Sequence, residues 1–229
     1  MSDSDSDVST DSDASIAPPI SSLAISSLAT TPAAPLSPAA LLFQTLYDGR
    51  YCENHGKKLS RAERKREGYI SATLTYGEIR FDTFQELVGI LEERKMLPEE
   101  GGVFVDVGCG IGKPVFAAAM LHGFRRCIGI EILEDCYNAC VDTLGFFGRE
   151  VRPVLGEAVG DEKRVLPENL QISFLHNDAL EVDWSTADLV FMNSTCFNMP
   201  LMMNLSVQCR ALKVGAVIVT TTKKILGKQ

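Results

Sequence analysis

Residues 103–121 read VFVDVGCGIGKPVFAAAML, and they join an apolar strand to a helix through three alternating glycines. The first five, Val103–Val107, are apolar apart from one acid, as expected of a strand covered on both faces in a parallel sheet. Gly108, Gly110 and Gly112 carry no Cβ, so the backbone there can adopt positive φ and lie flush against a bound molecule. The following helix offers free N–H groups and the positive end of its dipole to a carboxylate or phosphate. The stretch therefore predicts a nucleotide-type cofactor site.

The next strand carries an acid at a position that supports this interpretation. A glycine-rich turn alone also fits a plain strand-to-helix connection. However, Cys127–Ile132 reads CIGIEI and is apolar except for Glu131. In doubly wound nucleotide-binding folds, an acid at the end of the second strand, about 20 residues after the loop, binds ribose hydroxyls. We therefore expect Glu131 to bind a ribose.

The glycine spacing distinguishes two classes of cofactor. Dinucleotide folds prefer G-x-G-x-x-G, whereas this chain has G-x-G-x-G with Asp106 two residues before the first glycine. The pattern resembles motif I of the class I S-adenosylmethionine methyltransferases. In that family the early acid supports the methionine end of the cofactor, and the resemblance gives this role to Asp106.

Strand and helix patterns alternate along the rest of the chain. They predict strands at 172–176, 188–192 and 216–220, helices at about 133–147 and 200–212, and a polar loop at 156–167. Such alternation implies right-handed crossovers and a parallel sheet. The predicted fold is α/β, a doubly wound, mostly parallel sheet of the Rossmann-like class I methyltransferase type, with a small N-terminal helical segment.

The predicted sheet is short at its C-terminal edge. Class I methyltransferases usually continue past the fifth strand into an antiparallel pair, but this sequence ends soon after Thr220. The sequence predicts either a shortened edge or a truncated product. An open edge strand promotes aggregation, and Lys223, Lys224 and Lys228 are expected to guard it in part.

Three helices are predicted ahead of the glycine loop. Ser37–Pro38 has the pattern of an N-cap followed by a first-turn proline. Ser60 and Glu63 have the spacing of a capping box, and so do Asp82 and Gln85. In the third helix the apolar residues recur at the helical period: Phe84, Leu87, Val88 and Leu91.

Composition divides the chain into three regions. Its start, SDSDSDVSTDSDAS, contributes five aspartates to a net charge of −8, and a run rich in Pro, Ser and Ala follows. Such a segment lacks a periodic apolar face and favours disorder. We expect a disordered acidic tail at 1–36, N-terminal helices and a Tyr-Gly-Glu loop at 37–80, and the cofactor-binding methyltransferase domain at 81–229.

Composition also argues against several classes of protein. The seven cysteines form no C-x-x-C pair and have no His at metal-ligand spacing, which predicts a reduced intracellular protein without a metal site. Cys136 and Cys140 are expected on one face of a helix. No apolar stretch approaches the roughly 20 residues that span a bilayer, and no secretory signal begins the chain.

Further motifs make the family resemblance more specific. Thr75–Glu78 reads TYGE ahead of the third helix, and the glycine loop continues into Lys113 as D-x-G-x-G-x-G-K. Together with the G-I-E second strand, this order resembles the DOT-one family (disruptor of telomeric silencing) of non-SET histone-lysine methyltransferases, over about residues 59–223. The resemblance implies S-adenosylmethionine as cofactor, histone or nucleosome as partner and substrate, and a nuclear location.

The same resemblance implies roles for individual side chains. In that family the Tyr-Gly-Glu loop folds over the methionine part of the cofactor, and an acid after the third strand binds the adenine. The predicted cofactor-binding residues are therefore Tyr76, Gly77, Glu78, Asp106, Gly108, Gly110, Gly112, Lys113, Glu131, Asp178 and Asn193. The predicted catalytic residues are Tyr76, Glu78, Asn193 and Phe197.

The fourth strand ends in a variant of another family motif. Residues 191–197 read FMNSTCF, where the family has F-x-N-N-x-x-F beside its lysine channel. Asn193 and Phe197 match this motif, whereas Ser194 and Thr195 replace the usual Asn and aromatic residue. The implied reaction is in-line attack of a neutral lysine amine on the sulfonium methyl group, without an obligatory base.

A basic cluster in the second predicted helix has two interpretations. It contains Lys57, Lys58, Arg61, Arg64, Lys65 and Arg66. Such a run is either a solvated helix face or a contact for phosphate, including DNA, or for an acidic protein surface.

Other functions fit parts of the sequence. A nicotinamide-dependent oxidoreductase would use the same loop and Glu131, but it also predicts a catalytic Tyr-Lys or His after the fourth strand, which the sequence lacks. Methylation of another protein substrate remains open. So does a catalytically silent cofactor-binding module, which the altered residues after Asn193 and the short C-terminus favour.

Overall fold

The computed structural model describes residues 37–52, 54–156, 166–167 and 169–227. The tail predicted at 1–36, Lys228 and most of the polar loop predicted at 156–167 lie outside these ranges. Five strands form one parallel sheet in the order β3-β2-β1-β4-β5. The strands are β1 (Val103–Val107), β2 (Arg126–Glu131), β3 (Gln171–His176), β4 (Leu189–Met192) and β5 (Val217–Thr220).

Seven α-helices accompany the strands in the described residues: α1 (Pro38–Tyr47), α2 (His55–Arg66), α3 (Phe81–Glu93), α4 (Lys113–Leu121), α5 (Glu134–Phe146), α6 (Arg152–Gly156) and α7 (Met199–Gln208). A π-helical turn, Phe147–Val151, joins α5 to α6, so helical structure continues beyond the predicted end at 147. These bounds confirm the predicted α/β fold.

The alternation of side chains along each strand builds two hydrophobic cores. Phe104 and Phe191 project to the face covered by α1, α3, α4 and α5, where Phe84 meets both rings edge-on at centroid distances of 6.0 and 5.3 Å. Val105 and Val190 project to the opposite face, which contains Leu205 of α7. With both faces covered, all five residues of β1 are buried.

The strand order determines where a ligand can bind. β1 pairs with β2 on one side and with β4 on the other, so the chain changes direction across the sheet at β1. The loops that leave these neighbouring strands diverge there and open a crevice at the carboxyl edge, the usual ligand site of such folds. β5 pairs only with β4 among the described residues, so it lies at one edge of the described sheet.

Two predicted helix caps are wrong, and one is confirmed. Ser37 accepts a hydrogen bond from the backbone N–H of Ala40 at 3.2 Å, as predicted. Ser60 and Glu63 lie inside α2, which begins at His55, and the Ser60 hydroxyl donates to the carbonyl of Leu74 at 2.9 Å. The capping signature failed because tertiary partners engage these polar groups.

The third helix shows a similar difference. α3 begins at Phe81, so Asp82 lies in its first turn rather than at the cap. The side chain of Gln85 accepts a hydrogen bond from Ser37 at 3.5 Å instead of closing a capping box. The predicted apolar face of the helix is buried as expected: Phe84, Leu87, Val88 and Leu91.

Cysteine and helix composition add two observations. All seven cysteines are free thiols, and Cys136 and Cys140 are buried on α5 as predicted. In the ranges that the structure describes, no helix has the length and apolar character to cross a membrane, and no three His, Cys, Asp or Glu side chains are grouped to hold a metal ion.

Candidate functional site

A cavity of about 280 Å³ lies at the carboxyl edge of β1, β2 and β4. Its floor comes from the loops after the strands, and its roof from α2 and residues 71–77. Among its lining residues are Gly110, Glu131, Asp178, Asn193 and Phe197, together with Tyr76 of the roof. The structure therefore brings together most of the residues that the sequence predicted.

The glycine loop has the predicted backbone. Gly108, Gly110 and Gly112 have φ values of +74°, +57° and +83°, in the left-handed region that favours glycine. A Cβ on Gly110 would lie 2.4 Å from the ring of Tyr76. Close packing as well as conformation therefore requires glycine at this position.

The carboxylate of Glu131 connects the glycine loop to the end of β2. Its Oε2 accepts from the N–H of Gly110 at 2.7 Å, and its Oε1 accepts from Ile132 and Leu133 at 3.0 and 2.9 Å. Burial raises the pKa of Glu131 to about 7, although the three N–H donors favour the charged form. The acid at the end of β2 thus has a fixed orientation at the edge of the cavity.

Asp106 presents the opposite situation. The side chain is buried, and neither carboxylate oxygen has a hydrogen-bond partner among the described residues. Burial, with a smaller contribution from the charge of Glu131, raises the pKa of Asp106 well above its ordinary value. A small cavity beside Asp106 is also lined by Gly77, Lys113 and Asn193. A buried carboxylate without donors fits a ligand group that donates hydrogen bonds or carries positive charge.

Tyr76 is held between two glycines at the roof of the site. A Cβ on Gly56 of α2 would lie 2.2 Å from the ring, so Gly56 and Gly110 together form the slot that holds it. The Tyr76 hydroxyl donates to Glu78 Oε1 at 2.6 Å, and Lys113 Nζ donates to Glu78 Oε2 at 2.6 Å. The Tyr-Gly-Glu loop is thereby attached to the first residue of α4.

Asn193 and Phe197 follow β4 at the same edge. Asn193 Nδ2 lies 3.3 Å from the position that a Cβ on Gly77 would occupy, and Phe197 lies 3.3 Å from the equivalent position on Gly108. Asp178, after β3, lines the cavity while its Oδ1 accepts from the N–H of Leu180 at 2.9 Å.

Glu63 contributes to the site in a way that the sequence interpretation missed. Its buried carboxylate accepts from the backbone N–H groups of Glu134 and Asp135, both at 2.8 Å, at the N-terminus of α5. These donors come directly after the segment that holds Glu131, so α2 is fastened beside the cavity. The buried positions Gly56, Ser60 and Glu63 recur at helical spacing, a signal from which this buried face could have been predicted.

The basic residues of α2 are not equivalent. Arg66 pairs with Asp135 at 2.9 Å and with Glu67 at 2.8 Å, and Arg64 donates to Ser60 O at 3.3 Å. Lys58 is exposed, and its Nζ donates to Cys52 Sγ at 3.3 Å. Lys57, Arg61 and Lys65 are also exposed, and these three residues form the exposed stripe of α2.

The parallel sheet, its crevice, the glycine loop and the acid at the end of β2 define a protein of the Rossmann-like, class I methyltransferase fold. Residues 56–228 match the family described as "Histone methylation protein DOT1", and the chain belongs to this family. That membership confirms the predicted family and argues against the oxidoreductase alternative.

Three curated relatives carry the name "Histone-lysine N-methyltransferase, H3 lysine-79 specific". The Caenorhabditis elegans protein is 30% identical over 148 residues, which cover 64% of this chain and 14% of that protein. The Dictyostelium discoideum protein is 34% identical over 98 residues, which cover 42% of this chain and 5% of that protein. The Kluyveromyces lactis protein is 24% identical over 199 residues, which cover 86% of this chain and 32% of that protein. The chain thus spans about a third or less of each relative.

Solved structures show similarity at lower identity. An RNA methyltransferase from Salinibacter ruber in complex with S-adenosyl-L-homocysteine has a TM-score of 0.42 and 21% identity, over 63% of this chain and 76% of that one. An S-adenosylmethionine-dependent methyltransferase from Clostridium acetobutylicum has a TM-score of 0.44 and 12% identity, over 71% of this chain and 55% of that one.

Proposed function

We propose that this chain is an S-adenosylmethionine-dependent methyltransferase that methylates a lysine side chain of a nucleosomal histone. The observation that carries the proposal is the buried carboxyl of Asp106 beside the glycine loop, which has no hydrogen-bond partner within the described part of this DOT1-family chain. The names of the three relatives support a histone substrate and, with it, a nuclear location.

The cavity residues fit the chemical groups of this cofactor. Asp106 offers acceptors to the ammonium group of the methionine part, which would give a partner to a buried carboxyl that has none among the described residues. Glu131 offers its remaining acceptor capacity to the ribose hydroxyls, and Asp178 to the adenine amino group. The loop at Gly110 allows close approach of the backbone.

The roof, formed by α2 and residues 71–77, covers the site. Tyr76 lies under α2 and over Gly110, and the contacts of Glu78 with Tyr76 and Lys113 keep the loop closed. The proposed effect of this covering is to shield the methionine end of the cavity from water. The proposed role of Glu78 is therefore to hold the roof in place.

The proposed reaction depends on alignment rather than on a general base. When bound, the cofactor supplies a sulfonium methyl group that is open to attack by an amine. The ring of Phe197 and the amide of Asn193 line the cavity where an acceptor amine would enter. A lysine amine has a free pKa of about 10.4, and apolar surroundings lower it by disfavouring the ammonium form. Alignment in such a site provides most of the rate enhancement.

The exposed stripe on α2 is the proposed contact for nucleosomal DNA. Lys57, Arg61 and Lys65 are spaced four residues apart, which places them on one face of the helix, close to the roof of the cavity. Neutralising DNA phosphates with such side chains releases counterions and gives salt-dependent affinity.

Transfer of tritiated methyl from S-adenosylmethionine to intact nucleosomes, beside free histones, tests the proposal. Gly110→Arg serves as the blank, because even a Cβ there meets Tyr76, and Gly123→Ala is the matched control, because nothing lies within 4 Å of the added Cβ. We expect label on a nucleosomal histone with the wild type and with Gly123→Ala, and none with Gly110→Arg.

Calorimetry with S-adenosylhomocysteine accompanies the transfer assay. Ligand binding without transfer to any histone would overturn the substrate assignment and support a silent module or a different protein substrate. Absence of binding by a folded wild-type protein would overturn the cofactor assignment itself.

A further inference from the structure

Four hydroxyl side chains gather where the segments after β4 and β5 run side by side: Ser194, Thr195, Thr221 and Thr222. The β4–β5 pairing ends at Met192 and Thr220, so both segments leave the sheet next to the cavity. Two of the hydroxyls, those of Thr195 and Thr221, contact Asn193, a residue that lines both cavities of the site.

Ser194 holds the two segments together. Its hydroxyl is buried, donates to the carbonyl of Lys223 at 3.1 Å, and accepts from the N–H groups of Lys223 and Thr222 at 3.0 and 3.4 Å. A hydroxyl has one donor and two acceptor sites, so the hydrogen-bonding capacity of Ser194 is fully used. The segment that carries Thr221 is therefore held at a defined position beside Asn193.

Two hydroxyls act directly on the amide of Asn193. Thr221 Oγ1 donates to Asn193 Oδ1 at 2.9 Å, and Thr195 Oγ1 donates to the same oxygen at 3.2 Å. Thr222 Oγ1 lies 3.0 Å from Thr195 Oγ1, and its proton is available to that oxygen. Two donated protons occupy both lone pairs of the amide oxygen.

With its oxygen occupied, the amide must present its two N–H donors elsewhere. Nδ2 lies on the side of Gly77, 3.3 Å from the position of a Cβ there. We propose that Thr221, assisted by Thr195, is a positioning residue that acts through Asn193 and holds its N–H donors toward Gly77 and the cavity. This inference rests on the proposed methyl transfer, in which Asn193 lies where the acceptor amine enters.

The hydroxyls favour one of two orientations of the Asn193 amide. These orientations differ by exchange of the amide oxygen and nitrogen. Valine at position 221 would keep the shape of threonine but would leave Asn193 Oδ1 with the weaker contact to Thr195. The amide would then populate both orientations, and in one of them an acceptor would face the cavity.

Steady-state methyl transfer by three variants tests the inference. Removing one ordered hydrogen bond corresponds to about a tenfold loss of rate, so we expect Thr221→Val to lower kcat about tenfold with little change in KM. Thr221→Ser should restore kcat to within about twofold. Thr220→Val is the matched control, since alternation along β5 directs that side chain to the opposite face, and we expect wild-type kcat. Equal loss with Ser and Val at 221, or none with Val, would overturn the inference.

Side-chain amide NMR of Asn193 gives a readout that does not require turnover. The Nδ2–H₂ signals, assigned with Asn193→Ser, should shift and broaden in Thr221→Val and keep their wild-type form in Thr221→Ser. If the wild type transfers no methyl group, the proposed function fails while these signals still decide the positioning role. Unchanged signals in Thr221→Val would refute it.

Discussion

Glu63 accepts a 2.8 Å hydrogen bond from the backbone N–H of Glu134, which lies 71 positions further along the chain. With the second bond from Asp135, also at 2.8 Å, it fastens α2 to the first turn of α5. The segment between Glu131 and α5 is thereby held from outside the sheet, and the roof of the cavity is joined to the wall that contains Glu131.

Removing this contact should affect both stability and ligand affinity. Glu63→Ala leaves two N–H groups at the start of α5 without their acceptor, and we expect a loss of about 1–3 kcal/mol in the free energy of unfolding. Affinity for S-adenosylhomocysteine should fall as well, measured by calorimetry on the folded fraction. Glu86→Ala on the exposed surface of α3 is the control and should change neither quantity. Unaltered affinity in Glu63→Ala would show that α2 does not shape the cavity.

Alanine substitutions at Gly89 and Gly56 distinguish the effect of helix propensity from the effect of filling the slot for Tyr76. Gly89→Ala adds a methyl group in α3 with nothing within 4 Å, so we expect about 0.5–1 kcal/mol of stabilisation. Gly56→Ala gains the same propensity in α2, but its Cβ meets the Tyr76 ring at 2.2 Å. We expect it to displace Tyr76 and weaken S-adenosylhomocysteine binding at least tenfold. Thermal unfolding and calorimetry measure the two effects, and equal ligand affinity in both variants would contradict the slot.

The carboxyl of Glu131 makes the free protein less stable at higher pH. Burial raises its pKa from an ordinary value of 4.5 to about 7, so between these pH values the folded state keeps a proton that the unfolded state has lost. The stabilisation that comes from protonated Glu131 is therefore fully present below about pH 4.5 and is lost as the pH rises toward 7. The full difference is about 3 kcal/mol. Urea unfolding at pH 4 and pH 8 measures it together with the contribution of Asp106, which has the same sign, and Glu131→Gln should reduce the dependence.

Asp106 should release a proton when the ligand binds. Its pKa is raised by burial and, to a smaller extent, by Glu131, which favours the neutral carboxyl in the free protein, whereas an ammonium group beside it favours the carboxylate. The binding enthalpy of S-adenosylhomocysteine at pH 7 should therefore vary with the ionisation enthalpy of the buffer. Asp106→Asn should bind more weakly and lose most of that variation. Buffer-independent enthalpy for the wild type would remove Asp106 from the ammonium site.

The exposed stripe of α2 should determine how nucleosome binding depends on salt. Replacing Lys57, Arg61 and Lys65 by glutamine removes up to three phosphate contacts, so the slope of log affinity against log salt should fall by about 3. Arg210→Gln, on an exposed surface near the end of α7, is the control. A slope that matches the wild type in the triple variant would show that this face does not contact DNA.

Local patterns were sufficient to predict the sheet and its glycine loop. The continuous apolar run of β1, the acid at the end of β2 and the need for positive φ at Gly110 are properties of neighbouring residues, and the structure has each of them as predicted. Parallel pairing then follows from strand-helix alternation, and it brings Glu131 and Asn193 to one edge. The placement of these residues at one edge of the sheet was therefore predictable from the sequence.

The tertiary structure determines the hydrogen-bond partners of the polar side chains. Glu63 and Ser60 match a capping box, but in the fold Glu63 accepts from the N–H groups at the start of α5, and Ser60 donates to the carbonyl of Leu74. Leaving such buried groups without a hydrogen bond would cost more free energy than a helix cap gains. The orientation of Asn193 likewise depends on Thr221, which is distant in sequence and adjacent only because β4 and β5 pair. Local sequence specifies backbone conformation, whereas the pairing of polar groups depends on contacts that exist only after the chain has folded.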